Sequence, residues 1–489
     1  MIKTSRYILI LPFSLIWLVA GAQSTKPTDD VRNRIQLVEK NLIGLIQLEG
    51  ETPWTIQERM QHYKVHGVSI AVIHHYKIEW AKGYGWANAN KKIPVTDKTL
   101  FQAASISKSL NAVGVLKLEQ DHRLDINKDI NQYLIDWKFP YDAVSKGKKI
   151  TIKNLLSHTA GLNVHGFGGY SNGTPLPTVT QILNGSKPAN SDAVRSVFEP
   201  GLRSEYSGGG TTISQQIVMD ITHQPYDRFM YQNVLKPLGM TASTYAQPPV
   251  GVKSELLAAS YKADGKEVPG KYHVYPEQAA AGLWTNPTDL SKYIIETQLA
   301  YEGKSNKVLT QATTKLRLTP YLDKAAALGV FINDYNGIKY FQHGGSNEGF
   351  RSQYFGSLDG GNGLVVMVNS DDGSIIEEIV NSIAKVYQFK GLNQAKIVKK
   401  IAVDGKVLQG YTGKYQLTPT LVLTVSRDGN QLYGQTLNDA KFAIFPETQT
   451  RFFVKASFNA ELEFIKDNKP QVNKLMWYQG GTMEAKKIK

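Results

Sequence analysis

Strand-forming segments stand at both ends of a long helix-rich stretch, and this arrangement constrains the fold more than any other feature. Two β-branched and aromatic runs, 68–73 and 78–86, are separated by a polar turn and predict an antiparallel hairpin. Strand patterns return near the other end, at 328–332, 339–342, 351–355 and 363–369. Between them, residues 150–295 alternate helical periodicity with loops rich in glycine and proline. Both ends of the region are therefore expected to meet in one sheet, with a helical subdomain inserted.

Helices are predicted to flank this sheet. Apolar residues recur at helical spacing through 31–48. A last helix is expected to begin at Ser374, with Glu377 three residues later completing a capping box. The predicted fold class is α+β, an antiparallel sheet flanked by helices with a helical subdomain, over residues 31–389.

The last hundred residues predict a separate unit of short strands. Residues 390–406 are polar and lysine-rich, as expected of a linker. Seven strand patterns follow between 411 and 478, with turn signals at 428–430 and 467–470. These patterns predict a small C-terminal all-β domain, a barrel or sandwich, at 407–489. Its lysines are scattered, which favours a solvated surface over attraction to an anionic surface.

The first residues resemble a secretory signal. Lys3 and Arg6 precede an apolar run, and Ala20-Gly21-Ala22 supplies a small-residue cleavage pattern. An uncleaved membrane anchor is the alternative, but the apolar run is short for a spanning helix. We expect residues 1–22 to be a cleaved signal peptide, the mature chain to be periplasmic or secreted, and no stable membrane anchor to remain.

The amino-acid composition limits the kinds of catalytic, metal-binding and nucleic-acid-binding sites that the chain can form. The 489 residues include no cysteine, which excludes disulfides, thiolate metal sites and a cysteine nucleophile. No H-E-x-x-H motif occurs, so we expect neither a metal site nor a cofactor. The formal net charge is +14, but an exported chain without a basic recognition helix is not expected to bind nucleic acid.

The sharpest chemical signal is a serine and a lysine three residues apart, Ser105 and Lys108, in a helical pattern that ends near Glu119. Residues at this spacing share one face of a helix. A serine hydroxyl is a weak nucleophile until a base removes its proton, and a lysine held away from water can be that base. The spacing alone is common, and a solvent-exposed lysine is the ordinary alternative, so neighbouring motifs must decide.

Two further motifs follow in order, Tyr206-Ser207-Gly208 and His343-Gly344-Gly345, the second on a predicted strand. Shorter phrases accompany them at 155–162, 237–240 and 281–284. Together with Ser105-x-x-Lys108 they resemble the serine β-lactamase and penicillin-binding protein superfamily, in particular its class C-like branch. The resemblance spans residues 31–387 and implies a β-lactamase/transpeptidase-like fold.

The resemblance also implies a role for each position. Ser105 would attack a carbonyl and form an acyl-enzyme, while Lys108 and Tyr206 would move the protons, either of them serving as the base. The backbone N–H groups of Ser105 and Ser346 would form the oxyanion hole. The substrate site would be lined by residues of the second and third motifs: Gly208, His343, Gly344 and Gly345.

Two departures from efficient β-lactamases of this branch bear on the substrate. Gly208 stands where they have asparagine. It begins a run of three glycines, which is expected to leave a wide floor in the substrate cleft. His343 replaces a lysine, and a histidine is largely neutral at its ordinary pKa of about 6.5. The resemblance thus implies a D-amino-acid peptidase, a DD-peptidase-like enzyme or an esterase. Its substrates would be small molecules or peptides such as peptidoglycan fragments, with weak β-lactam hydrolysis.

Three alternatives stay open on the sequence. The chain could be a true class C-like β-lactamase, or a penicillin-recognising sensor that has lost deacylation. Ser171 is a rival nucleophile, since Gly169 to Gly173 fits G-x-S-x-G, with Asp289 and His343 following in α/β-hydrolase order. That motif needs a strand before it and a helix after it, whereas its neighbours predict a loop. The oligomeric state is not indicated.

Overall fold

One seven-stranded antiparallel sheet joins the two ends of the larger domain in the computed structural model of the chain. The structure describes residues 28–488 apart from 393–394, 420, 437–440, 456–458, 468–470 and 479–480. The predicted signal peptide lies outside the described residues. The described strands before the C-terminal domain are β1 (Ile46–Leu48), β2 (Gly67–His74), β3 (Lys77–Asn88), β4 (Ile93–Pro94), β5 (Phe101–Gln102), β6 (Tyr170–Ser171), β7 (His273–Val274), β8 (Trp284–Thr285), β9 (Phe331–Tyr335), β10 (Ile338–Asn347), β11 (Phe350–Ser357), β12 (Gly363–Val368) and β13 (Lys396–Val398).

The strand order of the main sheet is β4-β3-β2-β12-β11-β10-β9. Its central pair, β2 and β12, brings together segments almost three hundred residues apart, with Val68 opposite Val368. The apolar runs of both strands are buried because helices cover both faces. The predicted meeting of the two ends in one sheet is confirmed.

Helices form a layer on each face of this sheet. The described α-helices are α1 (Asp29–Lys40), α2 (Ile56–His62), α3 (Ser107–Gln120), α4 (Ile152–Leu156), α5 (Val179–Asn184), α6 (Gly208–Thr222), α7 (Tyr226–Met230), α8 (Gln278–Ala281), α9 (Pro287–Tyr301), α10 (Gln311–Arg317), α11 (Ser374–Tyr387) and α12 (Gly405–Tyr411). Helices α1 and α11 pack on one face, whereas α3 and α9 belong to the core on the other. No helix within the described residues is both long and apolar enough to cross a bilayer.

Two helix ends differ from the sequence prediction. Helix α1 ends at Lys40 instead of continuing to residue 48, and residues 46–48 form β1. The predicted capping box of α11 is wrong, because Gly373 is the N-cap and no side chain caps the helix. The N–H of Ser374 instead donates to the carboxylate of Asp372 at 2.9 Å, which closes the turn before the helix.

The C-terminal domain is a closed eight-stranded barrel. Its strands are β14 (Gly413–Thr418), β15 (Leu421–Asp428), β16 (Gln431–Gln435), β17 (Phe442–Pro446), β18 (Arg451–Lys455), β19 (Asn459–Ile465), β20 (Lys474–Tyr478) and β21 (Thr482–Ile488). The sequence predicted seven strands and missed β21, whose side chains are mostly polar and in which only Ala485 is buried. This strand pairs with both β20 and β14 and so closes the barrel.

The barrel packs against the larger domain through a short parallel strand pair. Within the segment expected to be a linker, β13 pairs with β1. Ile46 and Val398 from this pair form an apolar cluster with Phe453 on the barrel. The ammonium of Lys396 lies 2.8 Å from the carboxylate of Glu447 at the same contact. The two domains therefore share a small core.

We predict that Phe453→Ala destabilises the protein by about 3–5 kcal/mol, because truncating a buried phenylalanine removes apolar contacts and leaves a cavity. Phe453 is 0% exposed. The free energy of unfolding should be measured by urea denaturation. Leu421→Ala, at a half-exposed barrel position, is the matched control and should change it by less than about 0.5 kcal/mol. Equal effects from the two variants would show that the shared cluster contributes little.

Candidate active site

Ser105 lies in a single 3-10 turn, Ala104–Ile106, immediately before α3. Lys108 follows in the first turn of α3 and is 3% exposed. Its ammonium nitrogen donates to Ser105 Oγ at 3.0 Å and to the backbone carbonyl of Ala280 at 2.7 Å. Ala104 has a φ of 50°, a left-handed conformation that costs energy outside glycine. The backbone is thus strained next to the serine, and the serine and lysine are in direct contact.

Tyr206 lies against this pair. Lys108 Nζ is 5.0 Å from the centroid of the Tyr206 ring. The ring is held between two imidazoles, His158 at 4.3 Å and His165 at 4.8 Å between centroids. Ser207, the next residue, is the N-cap of α6 and accepts a hydrogen bond from the N–H of residue 210. The start of α6 therefore fixes the tyrosine beside the lysine.

His158 is a neighbour that the sequence analysis did not single out. Its Nδ1 accepts a hydrogen bond from the N–H of Ser207 at 3.2 Å. Burial, and then the positive charge of Lys108, lowers the pKa of His158 well below its ordinary value. The imidazole is consequently neutral and serves to orient the tyrosine loop. His158 lies in the 155–162 phrase, which was interpreted only as a feature of the fold and not as part of the site.

The third motif lies on β10, beside the turn that carries the serine. The pairing of β10 with β9 ends at Gln342, directly before the motif. A Cβ on Gly345 would stand 2.2 Å from the backbone oxygen of Ala103 and 2.4 Å from Ser352 Oγ. Only glycine fits this approach without movement of the backbone. The glycine thus lets β10 approach the turn of Ser105.

His343 is buried in the same motif, at 3% exposed. Its Nδ1 donates to the carbonyl of Gly344 at 2.6 Å, so Nε2 is an acceptor, and in the described structure it has no hydrogen-bond partner. Burial, and then the charge of Lys108, lowers the pKa of His343 to about 3. A neutral imidazole therefore stands where the resembling β-lactamases carry a cation.

These groups line one cavity of about 940 Å³. Its lining includes most of the predicted site residues: Ser105, Tyr206, His343, Gly344, Gly345 and Ser346. Aromatic and aliphatic side chains make up much of the remaining wall: Phe167, Phe331, Tyr335, Phe355, Ile376 and Val380. Lys108 is not part of the cavity wall, and its ammonium contacts Ser105 from the interior of the protein. The arrangement supplies a nucleophile, a buried amine and a phenol at one end of a largely apolar cleft.

The sequence of the larger domain decides its family. Residues 55–379 match the sequence model of the β-lactamase family. The chain belongs to the β-lactamase family. This family of serine hydrolases and penicillin-binding-like proteins is the one that the three motifs resembled. Residues 398–489 match a domain of unknown function, DUF3471.

Individual relatives are distant. Protein flp of Staphylococcus aureus (strain N315) is 25% identical over 382 residues, covering 76% of this chain and 71% of that protein. Penicillin-binding protein 4* of Bacillus subtilis (strain 168) is 22% identical over 440 residues, covering 83% of this chain and 91% of that protein.

Two solved structures share the fold. The octameric penicillin-binding protein homologue from Pyrococcus abyssi has a TM-score of 0.61 at 22% identity, over 88% of this chain and 98% of that one. The D-amino acid amidase from Ochrobactrum anthropi SV3, solved with L-phenylalanine amide, has a TM-score of 0.58 at 21% identity. It covers 74% of this chain and 99% of that one. At these identities the likeness establishes the fold alone.

Gly208 lies behind the β-lactamase-like cleft rather than on its floor. It is the buried first residue of α6, and its N–H donates to the carbonyl of His165. A Cβ on Gly208 would stand 3.1 Å from that carbonyl oxygen and from a ring carbon of Phe167. The expected wide floor is therefore not formed, because the glycines begin a packed helix.

The rival serine does not form a nucleophile elbow. Ser171 is exposed on the two-residue strand β6 and is not part of the cavity wall. Asp289, the expected third member, is buried at the start of α9, where it accepts hydrogen bonds from the N–H of Ala242 and from Ser243. It supports the fold of α9 and does not orient His343.

We predict that Gly345→Ala lowers the midpoint of thermal unfolding by several degrees, because the added methyl group collides with the backbone of Ala103. Gly344→Ala is the matched control on the same strand. There a Cβ would stand 2.8 Å from the end of the flexible Gln353 side chain, which can move. If both variants had the same midpoint of thermal unfolding, the close approach of Gly345 to Ala103 would not be needed for the fold.

Proposed function

We propose that the chain is an exported serine hydrolase that cleaves amide or ester bonds through an acyl-serine intermediate. The observation that carries this proposal is the 3.0 Å contact between Lys108 Nζ and Ser105 Oγ within a buried site. A D-amino-acid peptidase, a DD-peptidase-like activity or an esterase fits best, with β-lactams as weak substrates. The export part rests on the signal-like sequence at residues 1–22.

The acylation step follows from the contacts of Lys108. In its neutral form the amine accepts the proton of Ser105 Oγ as the oxygen attacks the substrate carbonyl and the carbonyl π-bond opens. The backbone oxygen of Ala280 holds the amine toward the serine. As the tetrahedral intermediate collapses, the bond to the leaving group breaks, and that group takes a proton from Lys108 or Tyr206.

Deacylation uses the same groups in reverse. A water gives a proton to the amine or to the Tyr206 phenolate and attacks the acyl carbonyl, and Ser105 Oγ leaves with a proton. In this proposal the N–H groups of Ser105 and Ser346 stabilise the oxyanion in both steps, each worth about 3 kcal/mol. The close packing of β10 against the serine turn, which Gly345 permits, supports this pairing of donors.

The third motif offers no positive charge to a substrate carboxylate. His343 is neutral over the whole physiological range, since burial, and then the charge of Lys108, lowers its pKa to about 3. Its unpartnered Nε2 is buried and can only accept a hydrogen bond, so the imidazole does not attract an anion. This chemistry fits the amine or amide of a peptide, an amino-acid amide or a neutral ester better than a β-lactam carboxylate.

The size and lining of the cavity agree with a substrate larger than a simple acetyl ester. A pocket of about 940 Å³ lies at the upper end of the range for small-molecule sites. Rings from Phe167, Tyr206 and Phe331 surround the end near the serine. We therefore expect aromatic or branched side chains in the best substrates, as in apolar amino-acid amides, muropeptides or aryl esters.

Ser105→Ala is expected to abolish covalent labelling by a fluorophosphonate or a labelled penicillin and to lower turnover by more than about 10⁴-fold, because no other side chain supplies the nucleophile. Ser171→Ala, at the exposed rival position, is the control and should leave labelling unchanged. Labelling lost in Ser171→Ala instead would move the nucleophile to β6. A burst of acylation without turnover in the unaltered protein would indicate a penicillin-recognising binding protein.

His343→Lys is expected to raise nitrocefin turnover relative to that of a neutral ester by roughly tenfold, equivalent to about 1.4 kcal/mol. The reason is that an ammonium group can hold the substrate carboxylate, which a neutral imidazole cannot. kcat/KM for both substrates gives the ratio, and His343→Gln, which stays neutral, serves as the control. The same gain in His343→Gln would mean that charge at this position does not set substrate choice.

A further inference from the structure

The carbonyl that holds Lys108 belongs to residues 275–282, here called the supporting segment. Ala280 is the third residue of its short helix α8. Its carbonyl oxygen accepts from Lys108 Nζ at 2.7 Å, a shorter contact than that between the lysine and the serine. Any displacement of the supporting segment therefore moves the amine or leaves it with one partner fewer.

Side-chain amides fix the supporting segment at several points. Gln215 on α6 donates to the carbonyl of Pro276 at 3.0 Å and accepts from the N–H of Ala279 at 2.9 Å. Gln247 donates to the carbonyl of Gly282 at 2.6 Å and accepts from the N–H of Tyr275 at 3.1 Å. Each uncharged amide thus binds the segment at two points, Gln247 on both sides of α8 and Gln215 before and within it.

Glu277 lies in the middle of this segment and is the exception to its paired polar groups. The residue is 0% exposed, and neither carboxyl oxygen has a hydrogen-bond partner on another described residue. Its backbone carbonyl accepts from the N–H groups of Ala280 and Ala281 at 3.0 and 2.9 Å. The unpaired carboxyl is thus joined by one short turn to the carbonyl that holds Lys108.

The surroundings of Glu277 favour its uncharged form. Burial raises the pKa of the Glu277 carboxyl to about 8. The groups that face it are the phenols of Tyr170 and Tyr275, whose pKa values are raised first of all by burial, and the amide of Gln215 beside it. The ammonium of Lys108 contacts the carbonyl of Ala280, three residues further along the segment.

We propose that Glu277 is a positioning residue: the supporting segment stays in place behind Lys108 only while this buried carboxyl is uncharged. Loss of its proton to water at alkaline pH displaces the segment and lowers the rate of the chemical step. The role rests on the proposed serine hydrolase function, because it acts through the amine that activates Ser105.

Ionisation slows the reaction by moving the supporting segment. A buried carboxylate without hydrogen bonds is costly, so the segment is driven to expose it, which pulls the Ala280 carbonyl away from Lys108. This displacement lowers kcat rather than substrate binding, because Glu277 is not part of the cavity wall.

The test is the pH dependence of kcat and KM for a neutral ester, from about pH 6 to about pH 10, in the full-length protein. We expect kcat of the unaltered protein to fall about tenfold for each pH unit above about 8, with KM nearly constant. Glu277→Gln, which is isosteric and cannot ionise, should retain kcat and lose this fall. Glu255→Gln, at an exposed position, is the matched control and should keep it.

A flat alkaline profile of the unaltered protein would overturn the proposal, as would the same fall in Glu277→Gln. If the glutamine variant does not fold, Glu277→Leu, neutral and similar in size, provides the same comparison. Absence of turnover and of covalent labelling at every pH in the unaltered protein would instead refute the serine hydrolase function.

Thermal unfolding separates positioning from mere burial. The unfolded carboxyl loses its proton near pH 4.5 and the folded one near pH 8, so the folded state holds one more proton between these values. Stability of the unaltered protein therefore declines relative to Glu277→Gln as pH rises through this window. A residue that is only buried would show this decline while leaving the alkaline fall of kcat unchanged between the two proteins.

Discussion

The site depends on one buried amine with two acceptors. Lys108 is almost completely removed from water, yet its nitrogen contacts the Ser105 hydroxyl on one side and a backbone carbonyl on the other. A lysine in such surroundings is costly unless hydrogen-bonded, so the fold must hold both acceptors in position. The strained turn before α3 holds the serine, and the clamped segment around α8 holds the carbonyl. Many of the residues packed around the site can be understood as support for these two contacts.

The sheet places these supports by joining distant parts of the chain. Pairing of β2 with β12 sets the centre of the sheet, and β11 and β10 then extend it toward the serine turn. Gly345 allows β10 to approach that turn closely, and Ser352 donates to the carbonyl of Ala103 from β11. Ser105 thus lies against the sheet, and the tyrosine loop reaches it from the helical subdomain.

What the sequence could predict follows from how local each signal is. Ser105 and Lys108 lie one turn apart, so their contact could be predicted from spacing. Tyr206 and His343 are far from them along the chain, and only resemblance to a family indicated that they meet. Glu277 and Gln215 carried no signal, because a carboxyl or amide becomes informative only when its burial and partners are known. Gly208 was misplaced for a similar reason, since a glycine run does not reveal that it begins a packed helix.

The strands and helices also differ in how well the sequence predicts them. Strands with continuous apolar runs, such as β2 and β12, were predicted because both of their faces are buried. Strand β21 was missed because most of its side chains are polar, and backbone pairing with two neighbours defines it. Helix α1 was predicted too long, since apolar residues continue its periodicity up to Ile46, although the helix ends at Lys40 and Ile46 belongs to β1.

The parallel pair of β1 and β13 has a consequence for how the chain is made. Residues 46–48 are synthesised early, but their partner at 396–398 leaves the ribosome some 350 residues later. Similarly, β2 pairs with β12, which comes almost three hundred residues later. The central strands of the sheet therefore cannot pair before β12 is available. During this interval their apolar edges stay open to wrong partners. The larger domain therefore cannot be completed until the last third of the chain is available for pairing.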